Sequence, residues 1–196
     1  MYEFMNDKSK LQTLKASGTG GILVFETETE KAYVSLSNNS IDEVLHIYKP
    51  NGIATIFFEK DVFQLEVGEG NNKRTVKHYL KPNKDAPHLQ LRLGITEHSS
   101  CGSWSSLPHD FENNPEPGFE EVFFYMINDS KQSEGKAIQT GRGMWADGST
   151  VDDLWNVKDQ TFSVVPMGYH AVVGEPNAMV RYVWSYIAKK PEWEKI

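Results

Sequence analysis

The sequence has little cysteine: Cys101 is the single one in 196 residues. An internal disulfide is thereby excluded, as is a site built from several thiolates, so stability has to come from packing. Basic clusters are also missing. Lysine and arginine total 20 against 27 acids, for a formal net charge of -7, and the bases are scattered along the chain. Such a surface complements neither a phosphate backbone nor an anionic bilayer, so nucleic acid and membrane are not expected as partners. No run approaches the roughly 18 apolar residues that would span a bilayer. The opening MYEFMNDKSK lacks the apolar stretch of a leader, and a cytoplasmic location is the expectation. Sustained 3.6-residue periodicity is absent too, which leaves any helix short or terminal, with residues 8–16 the candidate. No Gly-x-Ser-x-Gly elbow occurs, and neither GTGG at 18–21 nor GRG at 141–143 leads into the lysine and helix of a phosphate-binding loop.

What the chain does contain is a succession of short apolar and β-branched runs. GILVF, AYVSL, EVLHIY and IATIFF are followed by DVFQLEV, HLQLRLG, EVFFYMI, FSVVP and MVRYVWSYIA, with GEGNNK, KPNKDAP, NNPEPG and WADGST between some of them. Nine or more strands separated by Gly, Pro, Asn and Asp predict an all-β fold, an antiparallel sandwich or barrel. Character changes near residue 95. Residues 1–94 read as an N-terminal β half serving as scaffold, and residues 95–196 as the half carrying the site. No low-complexity linker marks the join, so the two halves are expected to form one folding unit.

The chemistry concentrates between residues 102 and 170. His109 ends the segment GSWSSLPH, Glu120 and Glu121 open the apolar run EVFFYM, and His170 follows the turn VVPMGY. Neutral imidazoles with a carboxylate make a low-charge site for a divalent ion that leaves positions open for a substrate. A single histidine or glutamate at a strand end is ordinarily a hydrogen-bonded structural residue, and spacing alone does not decide between the two.

Four segments taken in order, GSWSSLPH, EEVFFY, Arg142 with the acidic turn and VDD at 151–153, and VVPMGYH, resemble the 5-deoxyglucuronate isomerase family of inositol catabolism. More distantly they are similar to the 5-keto-4-deoxyuronate isomerases; both families are cupins. The resemblance implies a cupin-type antiparallel β-barrel (jelly roll), here a degenerate bicupin with an N-terminal β half, and a homodimer. It also implies a divalent metal ion (Zn, Mn, Fe or Ni) and isomerisation of a small sugar acid by proton transfer beside a carbonyl. In those families a His-x-His pair, a glutamate and a later histidine hold the metal. Glu121 and His170 match the glutamate and the later histidine, and His109 the first of the pair. The second of the pair has no counterpart, because the chain reads His109-Asp110-Phe111-Glu112.

Three outcomes stay open: Glu112 or Asp110 replaces the imidazole, three ligands suffice, or the metal is lost and the cavity only binds. Strand alternation would put His109 and Glu112 on opposite faces unless the backbone bends between them. With such a bend the expected ligand set is His109, Glu112, Glu121 and His170. Glu112, Glu120 and Tyr169 are the candidates for moving the proton. Arg142 is the candidate partner for a substrate carboxylate. Trp104 and Trp145, with Trp155 and Trp184, are core or cavity-wall aromatics that would suit the apolar face of a sugar. The other histidines, His46, His78, His88 and His98, are too dispersed to be ligands, and His46 reads as structural. The function expected is a metal-dependent isomerase of a uronic or deoxyuronic acid; a non-catalytic sugar-binding or sensory cupin and a metal-dependent oxygenase are the alternatives.

Overall fold

The computed structural model describes residues 1–81, 89–129 and 136–194. His88 and most of the KPNKDAP turn therefore lie outside the described residues. The chain begins with a three-residue 3-10 turn, Lys8–Lys10, capped by the Asp7 carboxylate on the Ser9 amide. The helix considered for residues 8–16 stops there, because the amides of Gln12, Thr13 and Leu14 turn to the Glu120 carboxylate and a strand begins at Lys15.

Strands β1 (Lys15–Thr19), β2 (Ile22–Glu26), β3 (Glu30–Ser37), β4 (Ser40–Tyr48) and β5 (Ile53–Phe58) form an antiparallel meander in that order. Two of its connections are two-residue loops, Gly20-Gly21 and Asn38-Asn39, with every loop residue at positive φ. That is the backbone of the type I′ hairpin, which asparagine and glycine tolerate and most residues do not.

A second sheet has the order β13 (Phe162–Val165), β10 (Glu121–Asp129), β16 (Ala178–Ile187), β8 (Leu91–His98), β7 (Arg74–Leu80) and β6 (Phe63–Val67). It draws strands from both sides of residue 94, which itself falls inside β8. The third sheet runs β12 (Thr150–Lys158), β11 (Lys136–Met144), β15 (Val172–Gly174) and β9 (Trp104–Ser105), and β14 (Met167–Tyr169) also pairs with β11. All the strand ladders are antiparallel.

The second sheet lies in the middle and is covered on both faces. Val122, Phe124 and Met126 of β10 join Leu91, Leu93 and Ile95 of β8 against Leu23, Phe25, Val34 and Val44 of the meander. The alternate residues Phe123, Tyr125 and Ile127 pack with Tyr182 and Trp184 against Ala137, Val157 and Val172 of the third sheet. Burial on both sides explains why EVFFYMI is apolar throughout and not alternating. It also gives the N-terminal strands their place, as a half-barrel laid on the outer face of the barrel that the second and third sheets enclose. Among the described residues no helix is long and apolar enough to cross a membrane.

Two buried carboxylates tie these layers together. Glu30 accepts from the amides of Gln90 and Leu91 at 2.8 and 2.9 Å and meets His46 Nε2 at 3.1 Å, which gives His46 the structural place expected of it. Glu120 does the same for the N-terminal segment, taking the amides of Gln12, Thr13 and Leu14 on one oxygen at 2.9, 2.8 and 2.8 Å.

Candidate functional site

The segment after β9 makes one 3-10 turn, Asp110–Glu112, and this turn answers the alternation problem posed by the sequence. In a strand His109 and Glu112 would diverge; in a tight helical turn residues three apart lie on one side. Glu112 Oε2 accepts the His109 amide at 2.9 Å and stands 2.8 Å from His109 Nδ1. His170 arrives from the other side of the barrel. It occupies the break between β14 and β15, two short strands that both pair with β11, and this irregularity turns the histidine inward while its neighbour Tyr169 faces out.

The His170 ring is held in one orientation and one tautomer. Its Nδ1 lies 2.8 Å from the Gly168 carbonyl, which only accepts, so Nδ1 carries the proton and a neutral ring presents the Nε2 lone pair. Gly168 is needed for this: its φ is +120°, and a Cβ there would sit 2.5 Å from the Arg142 carbonyl oxygen. His170 Nε2 is buried, has no hydrogen-bond partner among the described residues, and lies 3.8 Å from Glu112 Oε2. One donor atom each from His109, Glu112 and His170 falls within 4.8 Å of the others, so these residues fit a divalent ion.

A cleft of about 540 Å³ opens over this cluster, with His109, Phe111, Glu121, Phe123 and Trp184 in its wall. Glu112 and His170 are fully buried behind that wall, and His109 is the member of the cluster that reaches the cleft. Phe111, at the position of the missing imidazole, packs on His109 with ring centroids 5.9 Å apart.

The remaining residues singled out by sequence divide between this cleft and other places. Glu121 is in the cleft wall, whereas Glu120, one residue earlier, faces the opposite side of β10 and is engaged with the N-terminal segment and with Lys189 at 3.2 Å. Arg142 and Tyr169 are cross-strand neighbours on the outer face of the third sheet, in a separate shallow depression. The Arg142 side chain is 72% exposed and stands 3.5 Å from Asp152. Trp145 is buried against Trp155, with centroids 5.9 Å apart, and Trp104 lies on β9 beside Val173; neither lines the cleft.

The cleft also contains residues the sequence reading passed over. Arg74 is the one lysine or arginine among its described lining residues, and Ser106 and Tyr182 bring hydroxyls. Behind them His98 is buried, and burial together with the Arg74 guanidinium pushes its imidazole down to about 4. A histidine held neutral while the unfolded chain titrates near its ordinary value makes folding sensitive to acid. Its contribution is fully present above pH 6.5 and is lost as pH falls toward 4. We expect about 3 kcal/mol to disappear across that window, read as a fall in the urea midpoint from pH 7 to pH 4.5. The fall should be smaller in His98→Gln; an equal slope in that variant would assign the acid sensitivity elsewhere.

Comparison with known proteins agrees with this architecture. The 5-deoxy-glucuronate isomerase of Bacillus subtilis subsp. natto is 33% identical over 124 residues, which make up 62% of this chain and 43% of that protein. The enzyme of the same name from Lacticaseibacillus casei is 25% identical over 189 residues, 90% of this chain and 67% of that one. The aligned segment thus spans less than half the length of the Bacillus relative. An IolB-like protein from Salmonella typhimurium LT2 has the same fold, with a TM-score of 0.57 over 93% of this chain and 73% of that one at 17% identity. The cupin-type barrel expected from sequence is the fold found. The profile of the KduI/IolB family matches residues 48–196, a span that includes His109, Glu112, Glu121 and His170, and the chain belongs to that family.

Proposed function

We propose that the chain is a metal-dependent isomerase of a uronic or deoxyuronic acid, with the ion held by His109, Glu112 and His170 and with Glu121 completing the set from the cleft wall. The observation that carries this reading is the buried His170 Nε2, without a hydrogen-bond partner among the described residues and aimed at a cluster of potential ligands. Two neutral imidazoles and two carboxylates balance a divalent charge, and the oxygen donors favour the harder ions, manganese or iron, over zinc or nickel. When bound, such an ion polarises a sugar carbonyl and offsets the charge that builds on the neighbouring oxygen. Of the groups proposed for proton transfer, Glu112 alone stands at this cluster; Glu120 and Tyr169 face other surfaces.

Substrate recognition falls to Arg74 in this reading, in place of Arg142. A guanidinium in a partly closed cleft holds a carboxylate far better than one at the open surface. Arg74→Gln is therefore expected to raise KM for a uronate by about 30-fold while leaving a neutral aldose unaffected, the scale of one lost charge-assisted contact. Equal effects on charged and neutral sugars would remove Arg74 from that role.

A binding-only cupin is the second reading, favoured by the direct 2.8 Å contact between His109 Nδ1 and Glu112 Oε2, which engages these two atoms without an ion. Purification in chelator-free buffer followed by metal analysis and incubation with a panel of uronates separates the two. The isomerase reading expects near-stoichiometric metal and an isomerised product. A metal-free protein that binds a uronate and returns it unchanged would establish the second reading.

A further inference from the structure

A chain of buried hydroxyls leads from the cleft to His98, and the direction of every proton in it follows from the chemistry of its ends. Ser103 Oγ lies 2.6 Å from the Ser100 carbonyl, which only accepts, so the Ser103 proton is committed there. His98 Nδ1, 3.0 Å from Ser103 Oγ, must then be the donor. In the neutral ring the other nitrogen is bare, and Ser105 Oγ, at 2.6 Å, donates to Nε2. With its own proton spent, Ser105 can only accept from Tyr182, 2.9 Å away. The Tyr182 hydroxyl in turn receives the Ser106 proton across another 2.9 Å.

All the donors therefore point away from the cleft. Ser106 and Tyr182 line the cleft, while Ser103, Ser105 and His98 are buried behind it. Ser106 holds a φ of +63°, a conformation that costs a non-glycine residue about 1 kcal/mol or more, and it ends the chain with a lone pair on the cleft side.

We propose that Ser106, Tyr182, Ser105 and His98 form a proton relay, poised at rest to accept, that takes a hydroxyl proton from a sugar in the cleft and returns it to the adjacent oxygen. The relay rests on the isomerase reading and supplies the part of that reaction the metal cluster does not. In the forward step the substrate O–H bond breaks and its proton goes to Ser106 Oγ. The Ser106 proton passes to Tyr182, that of Tyr182 to Ser105, and that of Ser105 to His98 Nε2, leaving an imidazolium. Glu112 has by then taken the carbon-bound proton to give an enediolate, so the pair freed from the O–H bond becomes the new carbonyl bond while the C=C pair takes that proton back at the neighbouring carbon. Reversal of the relay then places a proton on the oxygen that has ceased to be a carbonyl, and the imidazole returns to its starting state. Burial makes the imidazolium short-lived, which suits a proton that is lent and not released. Ser106 and Tyr182 are the groups that touch substrate; Ser105 and His98 act through them.

Two measurements on the full chain test the relay. Imidazole ¹⁵N NMR at pH 7 is expected to show His98 neutral, with the proton on Nδ1 and Nε2 bare; an Nε2–H tautomer reverses the polarity and overturns the proposal whatever the activity. In the uronate assay, Ser105→Ala removes the middle link without altering the cleft wall. It is expected to lower kcat at least 30-fold, to leave KM within about threefold, and to diminish the solvent deuterium isotope effect; Tyr182→Phe should do the same. An active wild type whose rate survives both changes refutes the relay and leaves the isomerase reading standing. A wild type that converts none of the panel removes the isomerase reading, and the relay's catalytic role goes with it, while the NMR result still decides the hydrogen-bond direction.

Discussion

His170→Ala is expected to release the metal and to lower turnover about a thousandfold. The ring is buried, its Nδ1 is fixed on the Gly168 carbonyl, and its Nε2 has no other partner among the described residues, so its loss leaves the ion to Glu121 in the cleft wall and to His109 and Glu112 of one short turn. Those two already face each other at 2.8 Å, and without the third group they close on one another. A thousandfold corresponds to about 4 kcal/mol of transition-state stabilisation, the scale expected when a Lewis acid is removed. Alanine leaves a hole of imidazole size beside Phe123, which costs stability as well, so metal content is to be measured on folded protein at low temperature. His109→Ala should fall short of this effect, because its side chain is 42% exposed and water can take its place. Retained stoichiometric metal in His170→Ala would remove the proposed centre. In Glu121→Gln, full metal occupancy beside a lost rate would reassign that carboxylate from ligand to proton transfer.

The all-β class was legible from residue order, because it depends on local patterns, whereas the cupin barrel and the region of the candidate site were read from the resemblance of four ordered segments. Strand runs with Gly and Asn turns announce hairpins, and an apolar run such as β10 announces a doubly covered strand. The approach of His109 to Glu112 depends instead on one 3-10 turn, which a three-residue segment does not advertise. Glu120 and Glu121 illustrate a second limit. Alternation guarantees that the two point to opposite faces, but which face holds the cleft is decided by sheet packing, and packing involves residues far away in sequence. Arg74 went unnoticed for a related reason. It lies in the half read as scaffold, yet β7 joins β8 and β16 in the central sheet, so the cleft is walled from both halves. His98 looked dispersed in sequence; its partner Ser105 is 7 positions away, Tyr182 lies a further 77 beyond Ser105, and the group meets only after β8 and β16 pair.

Glu120→Ala should destabilise the fold by about 4 kcal/mol while sparing the chemistry of the cleft. One carboxylate oxygen accepts three successive amides, from Gln12 to Leu14, in a site where Glu120 is 1% exposed and Leu14 is buried in the core. Three consecutive amides aimed at one point form an anion-binding nest, and no other acceptor for them follows from the fold once the carboxylate is gone. Leaving buried donors unsatisfied costs on the order of 1–3 kcal/mol each, reduced here because the segment can loosen and admit water. Lys189 also loses a partner, a smaller loss because it is partly exposed. The expected signature is a fall of roughly 10 °C in Tm, by the usual scaling for a chain of this size. Below that temperature the rate per folded molecule should match the wild type. A variant of normal Tm that has lost its rate would instead return Glu120 to the proton-transfer step. Glu120→Gln should lie in between, since an amide oxygen still accepts but carries no charge, and it separates the loss of an acceptor from the loss of an anion.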